Sequence, residues 1–492
     1  MSMETKVFWA GDKIQQSFPT LENDVKTDAC IIGGGLAGLL CAEALYKSGI
    51  QNIAVLEAST IGGGETSKSS AMLSFAHDLV YDRLIKKHGI ETARAYYKLN
   101  RNGLDTIKQL IKEYKIDCGY NECDMYLYAK TKKGAAEIKK EHAAYQKINV
   151  MSDITRNIEL PFPVLSALKL SKQGYLNPYQ FITSLCNALN IRGVSFYENT
   201  FVAGQPKNGT LKVNDFTVSA KHFIYATHYP FINFPGFYFL KMYQGRSYNV
   251  VFESEIDIKD IYEGIDEHGF EYRPVGNAEI LCGGAAVRTG KNKNKQCFGA
   301  VEKNIFNDFN TNKILARFSA QDCMTFDMLP FAGRYSSFLE NVYVITGFNK
   351  WGFTTSAACA KIIADIISGN LKHNPFDTSR LYTIKSPIKA MRNIGTIAAG
   401  WFNTLFSPDT KKIKRIPLGG GAIVKYKGKR CGVYKAKSGQ LEFIHAVCPH
   451  LGCGLKWNQD DVSWDCPCHG SRFDTKGQII NNPSIKNAEK LR

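Results

Sequence analysis

No stretch of the 492 residues approaches 18 consecutive apolar side chains, so no membrane-spanning helix is expected. The opening segment, MSMETKVFWAGDKIQQSF, has no apolar core, so it is not expected to act as a secretory signal. Acidic residues are in the minority, with 45 Asp and Glu against 62 Lys and Arg, a net charge of +17. Basic charge alone does not make a nucleic-acid binder, and neither aromatic–basic interleaving nor a helix-turn-helix pattern accompanies it. Disorder is excluded by a 44% hydrophobic content that includes 29 Phe and 24 Tyr. Of the 14 cysteines, ten fall at irregular spacings, the pattern of reduced thiols in a cytoplasmic protein. The chain is long enough for two or three domains with separate cores.

What is present concentrates near the C-terminus. Cys448-Pro-His450-Leu-Gly-Cys453 is followed, after twelve residues, by Cys466-Pro-Cys468-His469-Gly-Ser471. A C-x-H pair and a C-x-x-H pair suit a [2Fe–2S] cluster with Cys448 and Cys466 on one iron and His450 and His469 on the other. Two neutral imidazoles in place of two thiolates remove negative charge, so such a cluster accepts an electron more readily than an all-cysteine one. Zinc also binds Cys and His at short spacing, but zinc sites rarely carry an extra cysteine in each ligand loop. Residues 448–471 resemble the Rieske proteins of cytochrome bc-type complexes, whose CxHxGC…CPCHGS signature they match. That resemblance implies that Cys453 and Cys468, at matched offsets in the two loops, form a disulfide. It also implies that His450 and His469, the ligands nearest the surface in such domains, pass electrons to an external acceptor. Where that family often carries a tyrosine two residues past the serine, this chain has Phe473, which implies an intermediate potential.

The N-terminal part reads as strand, tight turn, helix and strand. Ala29–Ile32 precedes Gly33-Gly-Gly35-Leu-Ala-Gly38, a helix continues through Leu45, and Ile53–Leu56 ends on Glu57. Glycines at 33, 35 and 38 let a pyrophosphate approach the backbone at a helix N-terminus, and Glu57 is placed to accept from the adenosine ribose hydroxyls. No second G-x-G-x-x-G follows a strand, because the glycine triplets at 62–64 and 419–421 lack the third glycine and the acid. A nicotinamide-binding domain of the usual kind is therefore not expected.

A second small-residue loop, Ile61 to Ala71, contains Thr66, Ser67 and Lys68. Here the chain resembles the D-amino-acid-oxidase-like FAD oxidoreductases, the superfamily of glycine and sarcosine oxidases. Further residues that carry the resemblance are Thr325-Phe-Asp327-Met-Leu-Pro330-Phe-Ala-Gly333 and the strand Val342–Thr346 running into Gly347-Phe-Asn-Lys350-Trp351-Gly352-Phe-Thr354, which opens a helix to about Ser368. It spans roughly residues 27–380 and implies FAD, held by Gly33, Gly35, Gly38, Glu57, Thr66, Ser67, Gly347, Trp351, Gly352 and Thr354. Family members hold a substrate carboxylate with an arginine, for which Arg246 between Tyr243 and Tyr248 is the candidate; a structural arginine is the other reading. Lys68 and Lys350 are candidates for tuning flavin charge or touching substrate. His77 reads equally well as a packing histidine.

The expected fold is α/β: a Rossmann-like FAD-binding domain with a mixed α+β substrate domain, then a small all-β Rieske domain. FAD-binding segments are expected at about 27–105, 166–228 and 321–380, and substrate-domain segments at about 106–165 and 229–320. A linker at 381–413 includes Asn393–Phe406, read as a docked helix or an interfacial membrane contact, and the cluster domain follows at 414–492. That last piece holds 14 Lys and Arg against 6 Asp and Glu, which suits an acidic redox partner, an anionic membrane surface or plain solvation. The expected activity is oxidation of a small amine or amino acid by FAD, with electrons relayed through the cluster to an external protein or quinone acceptor. Two other readings fit the same residues: an oxygen-using flavin oxidase with a regulatory Rieske domain, and a non-catalytic electron-transfer component. The expected location is cytoplasmic, or peripheral on a membrane.

Overall fold

The structure, a computed structural model, describes residues 8–10, 16–276, 278–291, 296–371, 373–380, 395 and 413–491. The expected linker at 381–413, including the helix read at Asn393–Phe406, lies almost wholly outside the described residues.

The sheet that carries the glycine turn is built around Val25–Ile32. Its last four residues are all buried, as a central parallel strand covered on both faces requires. Parallel partners flank it: Ile53–Leu56 on one side, with Ile32 opposite Leu56, and Phe216–Tyr225 on the other, with Ile32 opposite Tyr225. Val342–Thr346 and Phe331–Arg334 extend one edge, and Ser195–Tyr197 the other. The helices Leu36–Lys47 and Gly352–Ile367 pack together beside this sheet, both rich in small residues that allow close approach.

The second sheet has nine strands in the order Ile314–Thr325, Met242–Glu253, Glu279–Arg288, Glu271–Gly276, Ile261–Gly264, Asn121–Ala129, Ser166–Tyr175 and Met72–Leu73, with Asp153–Thr155 paired on Ser166–Tyr175. Ser166–Tyr175 and Ile314–Thr325 both run in this sheet, although the first was grouped with the nucleotide-binding segments by sequence. Residues 80–113 form two helices, Val80–His88 and Ile90–Glu113, broken at Gly89, whose φ of 87° no helix tolerates. The helix Pro178–Ile191 is started by Asn177, whose side chain accepts from the Tyr179 and Gln180 amides.

Residues 413–491 form two small antiparallel sheets, of three and four strands. Trp464, Phe473, Ile444 and Leu455 make their core, all fully buried. The two ligand loops leave the strands Leu441–His445 and Ser463–Asp465 and converge above that core. No helix among the described residues is long and apolar enough to cross a membrane.

Candidate functional site

A cavity of about 890 Å³ opens beside the glycine turn. Gly33, Gly35, Glu57, Thr66, Lys68, Gly347, Lys350, Trp351 and Gly352 all line it, so the structure brings together residues as far as 319 positions apart in sequence. The glycine turn is there because no side chain fits. A Cβ on Gly33 would run into the Ala226 carbonyl, and its φ of 110° is strained for any other residue. Gly38 does not line the cavity; its bare Cα lets the helix pass directly over the Gly33 carbonyl. Glu57 accepts from the Gly34 amide (2.8 Å) and the Ser59 amide (2.9 Å), and burial raises its carboxyl above the usual range. Thr66 Oγ1 accepts from the Leu36 amide at 3.0 Å and ties the second loop to the helix start.

Two expected contacts lie behind the wall. Ser67 is buried with its hydroxyl donating to the Gly64 carbonyl, and Thr354 donates to the Ser74 carbonyl at 2.8 Å. His77 belongs to the same buried network. It bonds Tyr96 and Ser74, stacks on Trp351 at 4.7 Å, and burial pushes it down to about 3, so it is a neutral packing histidine. The cavity's lining fits FAD, with the glycine cradle and the N-terminus of the helix Gly352–Ile367 both on its wall. A Gly35→Glu variant is expected to fold yet lose its flavin, because a carboxylate would sit where the pyrophosphate lies; absorbance of the purified protein near the flavin band checks this.

Arg246 occupies a different place from the one expected. Its Nε donates to Asp461 Oδ2 at 3.0 Å and a second nitrogen to Oδ1 at 3.1 Å, and Ser319 bonds both partners. Asp461 belongs to the C-terminal domain. The guanidinium expected to hold a substrate carboxylate is thus taken by an internal one, 2% exposed.

The cluster loops are equally specific. Cys453 and Cys468 are bonded to each other, as expected. Sulfurs of Cys453, Cys466 and Cys468 lie within 4.8 Å of one another, but the disulfide leaves Cys466 as the free thiol of that trio. Cys448 and Cys466 touch, both buried; the Cys448 thiol donates to Cys466, whose thiol is pulled down while that of Cys448 is pushed up. Ser471 donates to Cys448, and the His469 and Cys468 amides donate to Cys466. The rings of His450 and His469 lie edge to face at 5.0 Å. His450 Nδ1 and both nitrogens of His469 are buried without a hydrogen-bond partner among the described residues. Two buried thiols in contact and orphaned imidazole nitrogens on the same two loops are the donor set of a Rieske cluster, and the residues fit it.

Of the two histidines, His469 is turned inward. His469 is 1% exposed and its ring meets Phe239 at 5.8 Å, while His450 Nε2 lies 2.7 Å from Asn233 Oδ1. The expectation of two surface histidines is corrected for His469: the flavin-binding part covers it. Gln244 Nε2 donates to the His469 carbonyl (2.7 Å), and Gln321 Nε2 to the Gly470 carbonyl (2.9 Å) and to Gln244 Oε1 (2.6 Å). Arg288 donates to the Cys468 carbonyl at 2.9 Å. Gly290 lies against Pro467 so closely that a Cβ there would meet the ligand-loop backbone. In return, Gln478, Asn481, Asn482 and Ser484 of the C-terminal domain line the cavity, and Asn481 donates to Glu65 Oε1 at 2.8 Å.

Nothing in the sequence pattern marked Gln244, Gln321, Asn233 or Asp461. Gln244 and Gln321 sit on neighbouring strands of the second sheet, and the register that aligns them is a tertiary property.

Comparison with known proteins agrees with this geometry. Residues 28–366 match the family model of FAD dependent oxidoreductases (DAO), and residues 410–492 that of the Rieske [2Fe-2S] domain. A Bacillus subtilis protein described as a Rieske 2Fe-2S iron-sulfur protein, YhfW, is 31% identical over 98% of this chain and 96% of its own. Gamma-glutamylputrescine oxidoreductase of Escherichia coli is 24% identical over 80% of this chain and 97% of its own. In fold, glycine oxidase from Geobacillus kaustophilus superposes with a TM-score of 0.62 at 17% identity, over 73% of this chain and 99% of that one.

Proposed function

Because this chain belongs to the DAO family of FAD-dependent oxidoreductases and carries a C-terminal Rieske domain, we propose that it oxidises a small amine or amino acid and sends the electrons out through that domain to an external acceptor. FAD, when bound, supplies a two-electron acceptor and the [2Fe–2S] cluster a one-electron relay. One observation carries the reading. Gln321 lines the flavin cavity and donates to the Gly470 carbonyl, one residue from the ligand His469. With Gln244 it forms a two-residue bridge from the cavity wall to the ligand loop.

The protein's own residues supply position rather than acid–base chemistry. The Arg246–Asp461 pair and the Asn481–Glu65 bond hold the two domains in one register. Lys68 and Lys350 place positive charge on the cavity wall, where it favours an electron-rich ring system. His450 is half-buried, and among the four cluster ligands it is the one with a solvent edge, so the acceptor reaches the cluster from that side. Fusion keeps the relay intramolecular.

Anaerobic mixing with a panel of amines and amino acids tests the reading. Flavin bleaching followed by the rhombic low-temperature signal of a reduced cluster is the expected result; bleached flavin beside a cluster that stays oxidised would refute the relay. Gln321→Leu is expected to slow cluster reduction by roughly an order of magnitude while flavin bleaching keeps its rate.

A further inference from the structure

Where the large sheet faces the cavity, one row of register partners crosses four adjacent strands. Glu263 lies opposite Glu271, Glu271 opposite Gly283, and Gly283 opposite Asn249. Two carboxylates directly across a sheet repel one another, and burial makes the repulsion costlier. Gly283 is the low point of the row. A Cβ there would strike Glu271 Oε1 and come within 2.7 Å of Asn249 Oδ1, so these two acceptors converge over a bare backbone.

Two acceptors in the row lack a donor among the described residues: Asn249 Oδ1, on a side chain 2% exposed, and Glu263 Oε2, on one 7% exposed. Asn249, Glu263 and Glu271 line the flavin cavity. Glu263, Glu271, Ser247 and Lys350 also line a smaller cavity of about 240 Å³ that continues from it. The row therefore sits where the two spaces meet.

The charge balance points to a missing cation. Lys350 is exposed to the cavity; partial desolvation acts to pull its ammonium down, yet Asp78, Glu271, Glu263 and Asp322 together hold it up. Glu263 donates its proton to Asp78, so that pair carries one negative charge. Glu271 and Asp322 are two further acids beside the one ammonium of Lys350, and burial raises both carboxyls. Arg83 stands at the exposed rim of the smaller cavity, and Lys68 faces Glu65. No arginine is among the described residues lining the larger cavity, and Arg246 is bound to Asp461.

We propose that the substrate is an alkylamine bound as its cation, with the ammonium seated over Gly283 between Glu271, Asn249 and Glu263, and that binding needs no carboxylate on the substrate. The inference rests on the cavity being the substrate site of the proposed oxidoreductase. An ammonium supplies three donors to the acceptors Glu271, Asn249 and Glu263, and its charge compensates Glu271 and the Asp78–Glu263 pair. A substrate carboxylate in the same place would lie against Glu271 and the Asp78–Glu263 pair, groups of its own sign.

Calorimetry on the holoprotein at mildly alkaline pH tests this, with butylamine and putrescine against glycine and L-proline. Both amines are expected to bind and the two amino acids to fail. Glu271→Gln and Asn249→Leu should each weaken amine binding by about tenfold or more. Gly283→Ala should abolish it while flavin and cluster spectra stay intact. Binding of glycine or proline in preference to the amines overturns the proposal, as does amine affinity unchanged in Glu271→Gln, or no binding by either amine. Photoreduction of the bound flavin, followed by the cluster signal, tests the relay without any substrate, so the two readings fail separately.

Discussion

A Cys466→Ser variant is expected to lose the rhombic paramagnetic signal and the iron content while keeping its flavin. Cys466 is the thiol most prepared for metal: the Cys448 thiol and the His469 and Cys468 amides all donate to its sulfur, which favours the thiolate that iron needs. A serine hydroxyl at that point, buried and held far above its ionised form, cannot replace it. Flavin binding should survive, because the glycine turn and Glu57 lie in a different sheet, held by contacts within the first 380 residues. Candidate substrates should therefore still bleach the flavin, and electrons should then stop there. Flavin and iron assayed together in one preparation check the expectation; a variant that kept its signal would remove Cys466 from the ligand set.

The second large effect is expected at the domain contact. Arg246→Met leaves Asp461 ionised and nearly buried, with its remaining cation, Arg472, 3.6 Å away. Stranding one partner of a buried pair costs about 3–5 kcal/mol, and the Arg472 contact should place this case at the lower end. Thermal unfolding should show the C-terminal domain melting earlier, with slower reduction of the cluster. Replacing both partners, Arg246→Met with Asp461→Leu, should recover most of that loss, because apolar side chains of similar volume need no counter-charge. Asp461 also sets an acid limit. Burial acts to raise its carboxyl, but Arg246 and Arg472 outweigh burial and hold it below the usual range. A depressed carboxylate contributes stability that is present above the ordinary Asp value of about 4 and lost as pH falls below it, so the domain contact should loosen in acid.

How much was legible depended on how local each signal was. Gly33, Gly35 and Glu57 were readable because the turn and the following strand lie within 25 residues and have one function at that spacing. The four cluster ligands and the disulfide pair were readable for the same reason. Arg246 shows where local reading stops. Its aromatic neighbours suggested a pocket, but its strand delivers it to Asp461, 215 residues away. Ser67 and Thr354 stand in the right loops, yet each side chain turns to a neighbouring carbonyl, a choice made by backbone angles.

By itself, then, the order of residues determined two cofactor sites and their chemistry, since each rests on short-range spacing of glycine, cysteine and histidine. Only the tertiary structure decided that His469 faces inward, that Gln244 and Gln321 join the ligand loop to the flavin cavity, and that Glu263, Glu271 and Asn249 form one row. Those are properties of strand register and domain docking, which align residues by hydrogen-bond geometry across the sheet and leave no mark in the sequence around each one.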